Sequence, residues 1–211
     1  FHLKKVKRIN LSTNFFGIKI SSPLILSPMG HQTQFHKDGE IETAKGISTM
    51  NSVGIFGTQG RMSLADIRKN NKKTNLCWTI FPFGPLKWIH TQIKSAEKHK
   101  CLAIVVCIDA NIRSHRYLDR ETRYDARTVG KRTNPNPPNQ KAALFYDWEL
   151  IRFIKKKTKL PVIAKGILST EDALNCIRLK CDGLWISNHG GRMFNSGISG
   201  VEALREIKKE I

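Results

Sequence analysis

Six short apolar runs alternate along this chain with segments of helical periodicity, and this alternation limits its possible folds most strongly. The apolar runs predict buried strands at residues 23–28, 54–58, 76–81, 102–109, 162–165 and 183–187. Helical patterns cover residues 40–50, 88–99, 147–157 and 201–211, and a Ser-Thr-Glu-Asp cap at 169–172 opens a further helix. Strands that alternate with helices form parallel sheets with right-handed crossovers. The pattern therefore predicts a parallel α/β architecture.

Polar residues follow the last two predicted strands where each strand ends. Lys165 ends one strand, and Ser187, His189 and Arg192 follow the next, within the run Ser-Asn-His-Gly-Gly-Arg. One helix separates these strands, so their carboxyl ends meet at the same edge, which in barrels is the edge that carries the chemistry. An imidazole beside a guanidinium suits proton abstraction from an anionic substrate. Taken alone, the run could equally be a glycine turn that happens to carry a polar pair.

The segment from Pro161 to Arg192 resembles the FMN-dependent 2-hydroxy-acid oxidases and dehydrogenases, which include glycolate oxidase, lactate oxidase and L-lactate dehydrogenase. The resemblance rests on a Lys-Gly strand end followed at the expected separation by Ser-Asn-His-Gly-Gly-Arg, and a weaker similarity extends over nearly the whole chain. It implies a (β/α)8 TIM barrel, of which residues 1–211 would supply about six strand–helix units as a single domain. It also implies FMN as cofactor and the oxidation of a small L-2-hydroxy acid to the 2-oxo acid. The electron acceptor stays open among oxygen, a quinone and a cytochrome.

The resemblance also assigns roles to individual residues. His189 would take a proton from the substrate as two electrons pass to the flavin, and Asp109 would stabilise the protonated imidazole. Arg192 and Arg116 would bind the substrate carboxylate, and Arg113 is the alternative to Arg116 in this role. The implied cofactor contacts are Pro28, Met29, Gly30, Gly57, Thr79, Cys107, Lys165 and Ser187. No metal site is expected.

Several of these positions depart from the family pattern. Thr79 and Phe81 stand where the family has Gln and Tyr, so an amide contact to the flavin and a hydroxyl at the substrate are lost. Cys107 replaces the usual Thr, and Gly57 replaces a Ser or Thr. The departures support an alternative, a catalytically impaired or inactive remnant of the flavoprotein fold. The family's substrate tyrosine and flavin-phosphate segment would fall outside residues 1–211, so we expect the chain alone to aggregate or to bind flavin weakly.

Residues 113–144 are polar and contain an Asn/Pro tract at 134–139 that neither a helix nor a central strand tolerates. We expect a long, mobile loop over the mouth of the site.

Charge and cysteine content bound the remaining functions. The chain has 36 Lys and Arg against 17 Asp and Glu, a net charge of +19, which makes a basic nucleic-acid-associated protein a remote alternative. The basic clusters are scattered and match no nucleic-acid-binding module, so no nucleic acid is expected. Five cysteines without a Cys-x-x-Cys pair predict reduced thiols and a cytoplasmic location, with peroxisomal or membrane-peripheral locations left open. A homo-oligomer is one option for assembly.

Overall fold

The computed structural model describes residues 8–110, 117–125, 128–138, 146–193 and 197–211. Two short strands form an antiparallel hairpin, and five longer strands form a parallel sheet in the spatial order β3-β4-β5-β6-β7. The strands are β1 (Thr13–Phe15), β2 (Ile18–Ile20), β3 (Val53–Gly57), β4 (Asn75–Ile80), β5 (Ile104–Cys107), β6 (Val162–Ile167) and β7 (Gly183–Ile186). Because sequence order equals spatial order, the sheet is the consecutive part of a (β/α)8 barrel. The first predicted strand, at residues 23–28, is reduced to an isolated parallel bridge between Leu26 and Gly54.

Helices connect the parallel strands. They are α1 (Gly39–Thr49), α2 (Leu64–Asn70), α3 (Leu86–Lys98), α4 (Tyr117–Glu121), α5 (Glu149–Lys157), α6 (Thr170–Arg178) and α7 (Gly200–Ile207), with short 3-10 turns at Gln32–Gln34 and His189–Gly191. Side-chain caps fix several starts: the Ser169 hydroxyl accepts from the Asp172 amide, and Ser199 forms a capping box with Glu202. The predicted helices are confirmed to within a few residues, whereas α2 and α4 were not predicted.

Side chains alternate across the parallel strands and divide the core in two. The outward residues pack against the helices in a cluster that includes Phe56, Trp78, Ile80, Ile104, Val106, Ile89, Ile93, Ile151 and Ile154. The inward residues form a second cluster that includes Val53, Ile55, Cys77, Ala103, Val105 and Ile163. The same inward register, continued to the carboxyl ends of the strands, contains Gly57, Thr79, Cys107 and Lys165. Four predicted cofactor contacts therefore share the inner face of one edge.

The β1–β2 hairpin, which the sequence analysis missed, covers the opposite end of the inner face. Ile20 is 1% exposed and packs in the inner cluster together with the partly buried Phe15 and Ile18. Its two-residue turn, Phe16–Gly17, has positive φ at both positions, as a type I′ turn requires. The hairpin thus keeps the amino-terminal end of the sheet interior apolar and closed.

Part of the long loop is firmly attached, which corrects the expectation of a mobile lid for that part. The Asn134 amide donates to the carbonyls of Thr58 and Gly60, at 3.3 and 3.0 Å. The backbone amides of Thr133 and Asn134 both donate to the Arg61 carbonyl at 2.9 Å. These bonds tie residues 133–134 to the β3–α2 loop, and the short helix α4 also lies within the supposed loop.

Among the described residues, every helix is too short or too polar to traverse a lipid bilayer.

Candidate active site

A buried carboxylate lies between an imidazole and an ammonium group at the carboxyl edge of the sheet. Asp109, two residues beyond β5, places Oδ1 3.0 Å from His189 Nδ1 and Oδ2 3.7 Å from Lys165 Nζ. The side chains of Asp109 and Lys165 are 7% and 6% exposed, while that of His189 is 22% exposed. The imidazole is therefore the most exposed of these three groups.

The turn after β7 fixes the direction of the imidazole. His189 itself has φ 57, and the two glycines that follow have φ 68 and 70. The Ser187 hydroxyl accepts from the His189 amide at 3.1 Å, and the Asn188 side chain accepts from the Gly190 amide at 3.1 Å and donates to the Ile198 carbonyl at 3.3 Å. A left-handed run of this kind needs glycines, which explains the Gly-Gly pair next to the histidine.

A second glycine feature brings the lysine and the aspartate together. Gly166 has φ 108, and a Cβ there would lie 2.4 Å from both Cβ and Cγ of Asp109. The pairing of β6 with β7 shifts register between Lys165 and Ile167, as at a β-bulge. The Lys-Gly pair thus provides both a cation and the room for the carboxylate beside it.

Neighbouring groups keep Asp109 ionised. Burial alone would raise the pKa of Asp109, but hydrogen bonds from His189 and Cys107 and the charge of Lys165 hold this pKa below its usual value. Burial and the adjacent carboxylate raise the pKa of Cys107, so its thiol stays protonated and donates to Asp109 Oδ1 at 3.0 Å. An ionised carboxylate only accepts hydrogen bonds, so Nδ1 of His189 must donate to it. With Nδ1 as the donor, a neutral imidazole carries its basic lone pair on Nε2, the nitrogen that a general base would use.

The same cluster could be considered as a cation site. Donor atoms of Cys107, Asp109 and His189 all lie within 4.8 Å of one another. Lys165, however, places a positive charge 3.7 Å from the carboxylate, which opposes a second cation there. The arrangement is better suited to stabilising a protonated imidazole.

The aromatic ring of Phe81, stacked on that of Phe83, lies beside the imidazole. The Phe81 ring lies 6.1 Å from the His189 ring in an edge-on arrangement and stacks on Phe83 at 5.8 Å. Phe81 is held in place because its amide donates to the Thr58 hydroxyl at 3.1 Å. Phe83 was not among the predicted site residues, and only its i+2 spacing from Phe81 at the end of β4 could have suggested it.

Of the two arginines predicted to bind the substrate carboxylate, only Arg192 lies in the described part of the chain. Arg192 is exposed, follows the His189 turn, and finds no ion-pair partner in the described part of the chain. Its guanidinium lies close to the backbone of the turn, since Nη1 is 2.7 Å from the position that a Cβ on Gly190 would occupy. Arg116 and its competitor Arg113 lie outside the described residues.

The polar groups on the inner face at this edge suit the polar edge atoms of a flavin ring. Thr79 is fully buried, and its hydroxyl has no hydrogen-bond partner among the described residues. Lys165 adds a buried ammonium group, 5.9 Å from the Trp185 ring. Gly57 leaves no space for a larger residue, because a Cβ would lie 2.5 Å from the Thr79 carbonyl oxygen. An unsatisfied hydroxyl and a buried cation above an apolar interior suit a planar ring with polar edge atoms, such as that of FMN.

The predicted backbone contacts lie at the same edge. Pro28, Met29 and Gly30 follow the Leu26–Gly54 bridge, at the carboxyl end of the first short strand segment. Met29 is exposed, and a Cβ on Gly30 would lie 3.0 Å from the Gln59 carbonyl oxygen. The structure therefore brings the described predicted residues to one edge.

Comparisons with known proteins give relatives and solved structures that match nearly the whole chain. The L-lactate oxidase of Lentilactobacillus hilgardii is 26% identical over 220 residues, which cover 99% of this chain and 60% of that protein. A peroxisomal (S)-2-hydroxyacid oxidase of Arabidopsis thaliana is 26% identical over 97% of this chain and 60% of its own length. A solved mandelate oxidase mutant with a C4a-OH-FMN adduct superposes with a TM-score of 0.86 at 25% identity, covering 99% of this chain and 61% of that one.

The chain thus spans about 60% of the length of the curated relatives that it matches. The family model for FMN-dependent dehydrogenases matches residues 2–211, which is nearly all of the chain. With this match and the partial barrel, the chain belongs to the FMN-dependent dehydrogenase family.

Proposed function

We propose that this chain is part of an FMN-dependent oxidoreductase that converts a small L-2-hydroxy acid to the 2-oxo acid. The observation that carries the proposal is the buried Asp109–His189 pair, with its 3.0 Å hydrogen bond, beside the Lys165 ammonium. Such a pair is of little use to a structural core, because the second nitrogen of this partly exposed imidazole has no partner among the described residues.

The proposed chemistry assigns a separate task to each group. FMN, when bound, accepts the two electrons that leave the substrate. His189 Nε2 takes the substrate proton, and the Asp109 carboxylate stabilises the imidazolium that results. Lys165, Thr79, Cys107, Gly57 and Ser187 would hold the cofactor, together with the backbone of residues 28–30. The buried charge of Lys165 would stabilise negative charge on a bound flavin.

Substrate binding in this proposal combines positively charged arginines with the stacked aromatic rings of Phe81 and Phe83. Arg192 and Arg116 would bind the carboxylate, since a guanidinium can donate two parallel hydrogen bonds to it. Phe81 and its stacking partner Phe83 would contact the carbon side chain of the acid. The relatives are named for lactate, (S)-2-hydroxy acids and mandelate, which supports this substrate class and the L configuration. Their oxidase names support oxygen as the electron acceptor.

A second candidate is a flavin-binding protein with little or no turnover. It is favoured by Phe81, whose ring faces His189 without a hydroxyl, and by Thr79, which is too short to replace an amide. The two candidates differ only in catalysis, so a turnover assay separates them.

The test uses the full-length protein and measures 2-oxo acid formation from glycolate, L-lactate and (S)-mandelate. D-lactate serves as the stereochemical control. We expect product from at least one L acid and none from D-lactate. His189→Gln should abolish turnover, whereas His99→Gln, at the far end of α3, should leave it intact. A flavin-loaded protein without turnover on any acid would establish the second candidate, and equal activity of the two variants would refute the role of His189.

A further inference from the structure

The end of α6 brings two cysteines into contact. The helix closes with a Schellman motif: Lys180 has φ 56, its amide donates to the Ile177 carbonyl at 2.9 Å, and the Cys181 amide donates to the Cys176 carbonyl at 3.0 Å. In this motif the two residues joined by the longer-range bond are the ones whose side chains touch. Here both of those residues are cysteines.

The backbone bond between the two cysteines meets the Cα–Cα distance requirement of a disulfide bridge. A 3.0 Å bond from the Cys181 amide to the Cys176 carbonyl keeps the two Cα atoms within roughly 7 Å, the limit for a disulfide. Both side chains belong to the same apolar cluster between α6, α7 and β6, in which the partly buried Cys181 packs against buried residues that include Cys176. The described residues contain no second cysteine pair joined by a backbone hydrogen bond of this kind.

We propose that Cys176 and Cys181 form a redox modification site, in which a peroxide converts the two thiols to a reversible disulfide. The proposal rests on the backbone bond that brings the two cysteines together, on their shared apolar cluster and on their unequal exposure, and it does not depend on the proposed function. Cys181 is partly exposed, whereas Cys176 is fully buried. Cys181 therefore meets the oxidant first, and Cys176 resolves the product from within the protein.

The surroundings of Cys181 favour its role as the attacking thiol. The neighbouring Cys176 thiol and, after it, the Lys155 ammonium lower the pKa of Cys181, which outweighs the opposite effects of burial and of the Asp182 carboxylate. Lys155 is itself fixed by a 2.6 Å ion pair with Asp182, the residue after Cys181. By contrast, burial raises the pKa of Cys101 to about 12 and that of Cys77 still further. A thiolate is the reactive form, so oxidation should be selective for Cys181.

The reaction balances in two steps. The Cys181 thiolate sulfur attacks one peroxide oxygen, the O–O bond breaks, and the released hydroxide takes up a proton to give water and a sulfenic acid. The Cys176 thiol then loses its proton and attacks that sulfur, so that an S–S bond forms and the S–O bond breaks with release of a second water. Two thiols are oxidised, hydrogen peroxide is reduced to two waters, and an external dithiol reverses the change.

The test treats the folded full-length protein with a small excess of hydrogen peroxide, blocks free thiols and digests with trypsin. Cleavage after Arg178 and Lys180 separates the two cysteines into peptides 166–178 and 181–192. We expect these peptides to appear as one disulfide-linked species that separates after reduction. The intact protein should lose the mass of two hydrogen atoms and regain it with dithiothreitol.

Variants distinguish this mechanism from random oxidation. Cys176→Ser should leave a sulfenic acid on Cys181 that dimedone traps, whereas Cys181→Ser should leave Cys176 unmodified. Cys101→Ser, at another buried cysteine, should form the linked peptide at the rate of the wild type. Absence of the linked peptide from the folded protein, or its appearance only after denaturation, would overturn the proposal.

Discussion

Replacing Asp109 by asparagine would remove one negative charge from the site while keeping the shape of the side chain. In the structure, Asp109 accepts hydrogen bonds at 3.0 Å from both His189 Nδ1 and the Cys107 thiol, and lies 3.7 Å from the Lys165 ammonium. An amide oxygen can still accept from Nδ1, but it cannot balance the charge of a protonated imidazole. The Asp109→Asn variant should therefore bind substrate and lose catalytic rate.

The size of the loss follows from the bond that is weakened. A hydrogen bond to a charged group contributes about 1.5–3 kcal/mol, and this contribution acts mainly when His189 carries the substrate proton. Loss of that energy from the transition state lowers kcat roughly 10- to 150-fold. If the amide nitrogen turned toward Nδ1, the imidazole would adopt the other tautomer, and the loss would be larger.

The assay compares kcat and KM for 2-oxo acid formation by the wild type, Asp109→Asn and Asp66→Asn. Asp66 is a suitable control because it accepts a hydrogen bond from Ser63 at the start of α2 and, among the described residues, has no hydrogen bond or ion pair with Asp109, His189 or Lys165. We expect a lower kcat with little change in KM for Asp109→Asn alone. A kcat within about twofold of the wild type, a difference below 0.5 kcal/mol, would refute the assigned role.

The same variant should change how stability depends on pH. The pKa of Asp109 lies below that of a free carboxyl group, so its ionised form stabilises the fold above the unfolded-state pKa. This stabilisation is lost as the pH falls through the folded-state pKa. The unfolding midpoint of the wild type should therefore drop on acidification more than that of Asp109→Asn. Parallel curves below about pH 5 would contradict the reasoning.

Three further substitutions test the frame around the site. Gly166→Ala should destabilise the protein by about 2–5 kcal/mol, because a Cβ would lie 2.4 Å from Asp109 and the backbone φ is 108. Urea unfolding should show this loss of stability. The control Gly46→Ala, at an open position on α1, should be neutral or stabilising. Lys165→Met should weaken FMN binding roughly 10-fold or more, measured by flavin fluorescence titration, and unchanged affinity would contradict the inner-face cofactor site. Asn134→Ala should leave two carbonyls without their hydrogen bonds, at a cost of about 1–3 kcal/mol. Limited proteolysis should then cut more readily within residues 131–138. An unaltered cleavage pattern would show that these bonds do not hold the loop.

The sequence revealed much of the sheet because each parallel strand has a short apolar run bounded by turn residues. The inward alternation of β3 to β6 follows directly from the period of two, which is why Gly57, Thr79, Cys107 and Lys165 share one face. The strand-end motifs then predicted which edge carries the site. The contact of Asp109 with His189 came from the family resemblance, since no local pattern links residues 80 positions apart.

Other features could not be read from the sequence for physical reasons. The β1–β2 hairpin consists of three-residue strands, too short to show a period, and its stability comes from packing of Ile20 under the sheet. The attachment of Asn134 depends on two backbone carbonyls more than 70 residues away. The hydrogen bond from Cys107 to Asp109 was missed because a thiol two residues before a carboxylate carries no signal of its own.

The most direct test of the central claim is the visible absorption spectrum of the full-length protein, recorded without oxygen before and after addition of L-lactate or another L-2-hydroxy acid. The claim is that a flavin on the inner face receives electrons from a substrate whose proton goes to the Asp109–His189 pair. We predict an oxidised flavin spectrum that bleaches with an L acid, does not bleach with its D enantiomer, and bleaches far more slowly in His189→Gln. A bound flavin that stays oxidised with every acid, or a purified protein without flavin, would contradict it.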